Sequence, residues 1–404
     1  MHKNTKRKAF RVGFLPDIFL SFVHELFWKD FMRKLILPIA LASASFALAL
    51  DVELHGNVNF DYASYFDSDF DPTNAANQDI DLSATAKLDE NVSVTVKANT
   101  HSTYVDSSDG LIKASETRRH YFAHSTAIND GGKYTEFNFD GVQLRWDVTH
   151  SIGLVFGDLS YSAGPFNYYY WRDPARYAVI VREQYLRGAG LEFGNDKYGN
   201  GKVYMGASEN NVHSMALFGT YSYPILNHVD EHLVLTPSVD WLFGKEISRS
   251  YTYTFGLEVD YTKSFEKMNY GVYAVWGIHP YKGKGVHSFL VEPSFNYDFF
   301  NLGASFFVAL TDDEYDAEPQ ILTEDQMMFS IEPSFNLHKK FSMGVGYEYH
   351  DHDMDKDDDS YHFLGMNFYL YPTLKTEIVF WFGYNFSDQI DTDFAMGVSA
   401  KASF

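Results

Sequence analysis

The sequence predicts an all-β fold, a transmembrane antiparallel β-barrel of about 16–18 strands, and three observations carry that expectation. Apolar and polar residues alternate with a period of two almost everywhere beyond residue 50. Many of the alternating stretches are longer than the usual soluble strand and match the ~9–11 residues needed to cross a bilayer at a tilt. The gaps between them are mostly short on one side of the alternation and mostly long on the other.

Composition narrows the field first. The chain has 404 residues and a formal net charge of -22, which argues against a nucleic-acid partner, because phosphate binding needs a basic footprint. It contains no cysteine, so disulfides, zinc–thiolate sites, iron–sulfur clusters and cysteine nucleophiles are excluded. Aromatic residues make up 18% of the chain, with 36 Phe and 29 Tyr, a heavy load for a soluble protein. Beyond the N-terminus no apolar run is long enough for a helical membrane span.

Residues 1–49 read as targeting sequence rather than fold. Met32-Arg33-Lys34 precede a largely apolar run from Leu35 to Leu48, and Ala47-Leu48-Ala49 has the small-x-small form of a cleavage site. The expectation is a signal peptide over 32–49 behind an N-terminal extension, with Met32 as initiator. A single barrel domain then occupies 50–404.

Strands follow in order. Ile80, Leu82, Ala84, Ala86 and Leu88 alternate with Asp79, Asp81, Ser83, Thr85 and Lys87. Tyr251, Tyr253, Phe255, Leu257, Val259 and Tyr261 do the same against Thr252, Thr254, Gly256, Glu258, Asp260 and Thr262. Successive side chains of a strand point to opposite faces, so each stretch has one apolar and one polar face. The first nine candidates lie near 51–66, 78–88, 91–104, 134–148, 151–162, 184–194, 201–209, 212–223 and 232–244. Nine more lie near 251–263, 269–279, 286–297, 300–310, 326–337, 340–349, 360–371, 374–386 and 393–404. With the first strand starting on the periplasmic side, Asp89-Glu90, Thr149-His150, His338-Lys339 and Pro372-Thr373 are short turns. The segments 67–77, 105–133, 163–183, 311–325 and 350–359 are the opposing long loops. The middle of the chain fits less well, since 210–211 falls among the long loops and 224–231 among the turns. An even count, sixteen or eighteen, keeps both ends in phase.

One face of the first candidate strand carries Glu53, His55, Asn57, Asn59 and Asp61, as a water-filled lumen requires. The last strand places Phe394, Met396, Val398, Ala400, Ala402 and Phe404 on one apolar row ending at the terminal residue. That row resembles the C-terminal signature strand of Gram-negative outer-membrane barrels. The resemblance implies an outer-membrane location and makes Phe404 the signal read by the barrel-assembly machinery. The chain is broadly similar to a general porin, with no closer family motif.

A barrel of this size leaves an aqueous channel. The expected function is passive diffusion of small hydrophilic solutes. The alternatives are a sugar- or anion-specific channel, a non-channel scaffold and, last, a hydrolase. The loop 163–183 resembles the one that general porins fold into the pore. It holds Tyr168, Tyr169, Tyr170, Trp171, Arg172, Arg176 and Arg182. Arginines facing a wet lumen attract anions, and the aromatic run offers stacking faces to sugars. The competing expectation is that the aromatics pack the loop while the arginines pair with Asp173, Glu183 or lipid headgroups. Arg118 and Arg119 mark the loop 105–133 as a second candidate.

Asp351, Asp353, Asp355 and Asp357 head an acidic loop whose oxygens suit Ca²⁺ or Mg²⁺, weakly, or a bridge to lipopolysaccharide. No Gly sits where an EF-hand needs it, so a solvated acidic rim is the simpler expectation. His350 and His352 raise a transition-metal site as a minor alternative. Tyr347, Tyr349, Tyr369, Tyr371 and Trp276 are expected in headgroup-level girdles. No G-x-S-x-G, H-E-x-x-H or phosphate loop occurs, so an enzyme is not expected. Homotrimer assembly is a further expectation of the porin resemblance.

Overall fold

A computed structural model describes residues 51–66, 69–70, 72–105, 132–161, 184–195, 197–208, 211–244, 253–281, 284–312, 325–351, 354–355, 360–386 and 394–404. The expected signal segment lies outside the described residues.

Eighteen strands form one sheet. They begin with β1 (Asp51–Phe66), β2 (Pro72–Asp89), β3 (Val92–Val105), β4 (Gly132–Thr149), β5 (Ile152–Tyr161) and β6 (Gln184–Asn195). Next come β7 (Gly199–Ser208), β8 (Asn211–Asn227), β9 (Glu231–Gly244), β10 (Tyr253–Ser264), β11 (Met268–Tyr281) and β12 (Lys284–Tyr297). The last are β13 (Phe300–Thr311), β14 (Gln326–His338), β15 (Phe341–Asp351), β16 (Ser360–Thr373), β17 (Thr376–Asn385) and β18 (Phe394–Ser403). Each pairs antiparallel with its chain neighbours, and β1 pairs antiparallel with β18 from Asn57↔Ser403 to Phe66↔Phe394. The closed sheet has no edge strand to template aggregation or to leave unpaired amides in lipid. An up-and-down sheet closes with an antiparallel seam only for an even strand number, and the number is eighteen rather than sixteen.

Two regions differ from the sequence expectation. Strand β2 starts at Pro72, so the first loop shrinks from 67–77 to 67–71. Asn74–Gln78 has no apolar alternation to read, yet its backbone continues the ladder against β1. Strand β8 runs through Pro224 to Asn227, leaving a three-residue turn at 228–230. Proline lacks the amide a ladder needs, and the register shifts between Pro224 and Leu226. With that strand extended, all eight turns on the side of Asp51 have two or three residues. At one of them Asp298 takes φ 51°, the left-handed conformation that a tight hairpin demands.

The faces are inverted relative to a soluble protein. Phe289, Val291, Phe306, Leu310, Leu364, Met366, Phe382, Tyr384 and Met396 point outward and are exposed. Ser288, Glu292, Ser305, Ser330, Glu332, Glu348, His350 and Asn367 point inward and are buried. Exposed apolar rows around a polar interior are stable only where lipid replaces water outside, so this is a transmembrane barrel rather than a sandwich. An even-stranded antiparallel barrel of this kind with short turns on one side belongs in the Gram-negative outer membrane, with those turns in the periplasm. Near the periplasmic rim Tyr261 donates from its hydroxyl to Glu231 Oε1 (2.8 Å) and packs on Tyr270, which packs on Phe265. Tyr347, Tyr349 and Trp276 also point outward, as expected of girdle residues. Tyr369 and Tyr371 do not. They share the inward face of β16 with Asn367, because their phase on the strand outweighs their nearness to its end.

Candidate functional site

The inward face is the candidate site, and it divides into two arcs. The first, on β18 and β1–β7, mixes signs. Lys87, Lys97, Arg145, Lys202 and Lys401 face inward beside Glu53, Asp61, Asp79, Asp81, Asp147 and Glu192, as their strand phase and pairing dictate. Here Arg145 is the organiser. Its Nε donates to Asp147 Oδ1 at 2.8 Å, and its Nη1 pairs with Glu192 Oε2 from β6. The Tyr204 hydroxyl on β7 donates to the other oxygen of Glu192. Lys202 Nζ lies 5.9 Å from the centre of the Tyr204 ring. Glycine makes this cluster possible at Gly190, where a Cβ would stand 2.3 Å from the Tyr204 ring.

Above this network toward the extracellular side lies an apolar patch. Val155 and Leu159 of β5, Leu186 of β6, Tyr204 of β7, and Ala216 and Phe218 of β8 cluster with relative exposures of 0–4%. These side chains face the lumen and are nevertheless shielded from water.

The second arc, on β9–β17, is acidic. Asp240, Glu258, Asp260, Glu292, Glu332, Glu348 and Glu377 face inward, whereas Lys284 at the extracellular rim is the sole inward Lys or Arg there among the described residues. Neutral donors organise this arc. Tyr273 donates to Glu258 Oε2 at 3.1 Å, and Ser305 donates to Glu292 Oε1 at 2.7 Å. Asn367 Nδ2 donates to Glu332 Oε2 at 3.2 Å and Tyr369 donates to Glu332 Oε1 at 2.8 Å. His350 Nε2 lies 3.1 Å from Glu348 Oε2.

The residues proposed from sequence are placed unevenly. Tyr168, Tyr169, Tyr170, Trp171, Arg172, Arg176 and Arg182 lie outside the described residues, as do Asp353 and Asp357. Asp351 ends β15 and accepts from the Tyr349 hydroxyl at 3.0 Å, while Asp355 is exposed in the following turn. Among the described residues no group of three His, Asp or Glu side chains could hold a metal ion. His350 is a lumen residue rather than part of an exposed acidic turn, since its strand phase turns it inward beside Glu348. Phe404 extends the seam. Its amide donates to Gly56 O at 3.0 Å and its carbonyl accepts from Gly56 N at 3.2 Å. Its ring covers Gly56, where a Cβ would stand 2.4 Å from the ring.

Sequence reading missed the Arg145–Glu192–Tyr204 cluster and the tyrosines bound to Glu258 and Glu332. Each of these residues stands in the polar phase of a readable strand. That signal was present, but their partners follow only from strand register.

No known protein family matches the chain, and no curated protein matches it either. Solved structures do match in shape. The outer-membrane protein OpdK of Pseudomonas aeruginosa superposes with a TM-score of 0.55 at 9% identity, covering 87% of this chain and 99% of that one. OccAB3 of Acinetobacter baumannii gives 0.54 at 10% identity, covering 88% and 99%. OccK2 (OpdF) of Pseudomonas aeruginosa gives 0.54 at 11% identity, covering 88% and 98%. The fold is that of a porin-like outer-membrane barrel. At such identities the likeness is one of fold, and the barrel's chemistry rests on its own side chains.

Proposed function

We propose that this barrel is an outer-membrane channel through which small hydrophilic solutes diffuse, and that it is not an enzyme. The observation that carries the reading is the charged inward face, which extends through both arcs of a closed eighteen-stranded wall. Barrels of about this strand number leave an aqueous lumen. Refolded protein in planar bilayers is expected to give discrete conductance steps. Properly folded protein that inserts and gives none overturns the reading.

The loop 163–183 is the proposed constriction. It leaves β5 and returns on β6, the strands that carry Val155, Leu159 and Leu186 of the shielded patch. An apolar patch facing water is unfavourable at roughly 25 cal/mol per Å². The run Tyr168–Trp171 is the covering surface of matching chemistry nearest in the chain. In this proposal Arg172, Arg176 and Arg182 supply the positive charge of the constriction.

A selective channel is the second reading, favoured by the segregation of charge between the arcs. OpdK has been solved with vanillate, an aromatic carboxylate. In this chain an anion of that kind would meet Arg145 and Lys202 on one side and repulsion on the other. Export by the segment Leu35–Ala49, weak Ca²⁺ or Mg²⁺ bridging from Asp351, Asp353, Asp355 and Asp357 to lipopolysaccharide, and trimer formation complete the proposal. Phe404 is assigned to the barrel-assembly machinery. Its deletion should sharply lower surface levels in cells, and unchanged levels would remove that role.

A further inference from the structure

Three rungs of the mixed arc have an unusual make-up. Across β1 and β2 the Cα partners are Asp61↔Asn77, Asn59↔Asp79 and Asn57↔Asp81. Each rung pairs one aspartate with one asparagine in register. On the other flank of β1 the partners are Ser399, Lys401 and Ser403. The three carboxylates descend the wall in steps of ~7–8 Å, first diagonally from β1 to β2 and then two residues along β2.

Asp61 is the anomaly in this ladder. It is 5% exposed, and its Oδ1 is fully buried with no hydrogen-bond donor among the described residues. Ser399 donates to its carboxylate, while Asp79 on the next rung adds negative charge beside it. No ion pair to Asp61 occurs among the described residues. Lys401 stands opposite Glu377 on its other side. A buried carboxylate oxygen beside a second carboxylate, without a donor, is costly unless something supplies both positive charge and N–H groups.

We infer that Asp61, Asp79 and Asp81 form a site for short aliphatic diammonium ions, which is a substrate class for the channel proposed above and rests on that reading for its transport role. Two features select an ammonium over a metal ion. Among the described residues no cluster of three His, Asp or Glu side chains is close enough to hold a metal, and Asp61 Oδ1 lacks a hydrogen-bond donor although Ser399 serves the carboxylate. A primary ammonium carries three donors and a full charge, so it satisfies Asp61 Oδ1 and attracts Asp79 at once. In extended 1,4-diaminobutane the nitrogens are ~6 Å apart by standard bond lengths, close to one step of the ladder. One ammonium seats between Asp61 and Asp79 and the other reaches Asp81, which is exposed to the lumen.

The experiment is calorimetric titration of 1,4-diaminobutane into the refolded full barrel in detergent micelles at low salt, alongside conductance in planar bilayers. Saturable binding is expected, at least tenfold tighter than for n-butylamine and at least tenfold weaker in Asp61→Asn and in Asp79→Asn. The heat-modifiable gel shift of an intact barrel shows that each variant is folded, and Glu90→Gln, exposed in the turn after β2 and outside the lumen wall, serves as the unaffected control. Equal binding by wild type and Asp61→Asn, or no preference over n-butylamine, overturns the site. Pores without diamine binding reject the site alone. Diamine binding without pores rejects the channel and leaves the site standing.

Discussion

The two arcs of the lumen wall solve one problem in different ways. On β4–β7, Arg145 pairs with Asp147 and Glu192, so opposite charge holds the carboxylates. On β10–β16, tyrosine, serine and asparagine hold Glu258, Glu292 and Glu332, and among the described residues no inward Lys or Arg stands in those strands apart from Lys284 at the rim. A neutral donor satisfies a carboxylate lone pair and leaves the charge in place, whereas an arginine satisfies it and cancels the field. The acidic arc therefore keeps its negative potential, and the mixed arc is close to balanced. Ions crossing this lumen meet a transverse field rather than a uniform one.

The strongest test of that contrast is to neutralise the acidic arc. Glu258→Gln, Glu292→Gln and Glu332→Gln together should lower the potassium-over-chloride permeability ratio several-fold, read from the reversal potential in a salt gradient. The amide oxygen keeps an acceptor for Tyr273 and for Ser305 and for one of the two donors to Glu332, so folding should survive. An unchanged ratio would mean that these carboxylates lie off the ion path. Next in size is Gly190→Val. The new side chain would drive Tyr204 away from Glu192, at a cost of ~1–3 kcal/mol for overpacking. Denaturant unfolding of the refolded barrel measures it, and a wild-type midpoint would show that the strands give way easily there.

Arg145→Ala should separate the arcs further. Removing the cation takes the ion pair from Asp147 and leaves Glu192 with the Tyr204 hydroxyl and Lys202 alone, so selectivity should move toward cations, opposite to the acidic-arc variant. The stability loss should be only about 1 kcal/mol, because Arg145 is 40% exposed and solvent screens its pairs. A loss of several kcal/mol would instead make the network structural. The smallest effect is expected from replacing Arg172, Arg176 and Arg182 by Ala. Selectivity should again shift toward cations at low salt and return toward wild type at ~1 M salt, where the screening length is ~3 Å. A null result at low salt would leave headgroup or loop contacts as their role.

The limits of sequence reading show at particular residues. The alternation at Ile80–Leu88 and the row ending at Phe404 were legible because a strand turns every second side chain to the same face. The strand through Pro224 was not, since proline reads as an end and only the bulge beside it lets β8 continue. The inward turn of Tyr369 and Tyr371 was in the phase of β16 all along, yet proximity to a strand end pointed to a girdle.

Period two, length and turn spacing alone determine that this chain is a transmembrane barrel with a polar lumen, since these are properties of single strands and their neighbours. Tertiary structure decided what the lumen is made of. Glu332 meets Asn367 and Tyr369 across 35 and 37 residues of chain, and Arg145 meets Glu192 across 47. Such meetings depend on strand register and on closure of β1 against β18, which are set jointly by all eighteen strands and written in no single one.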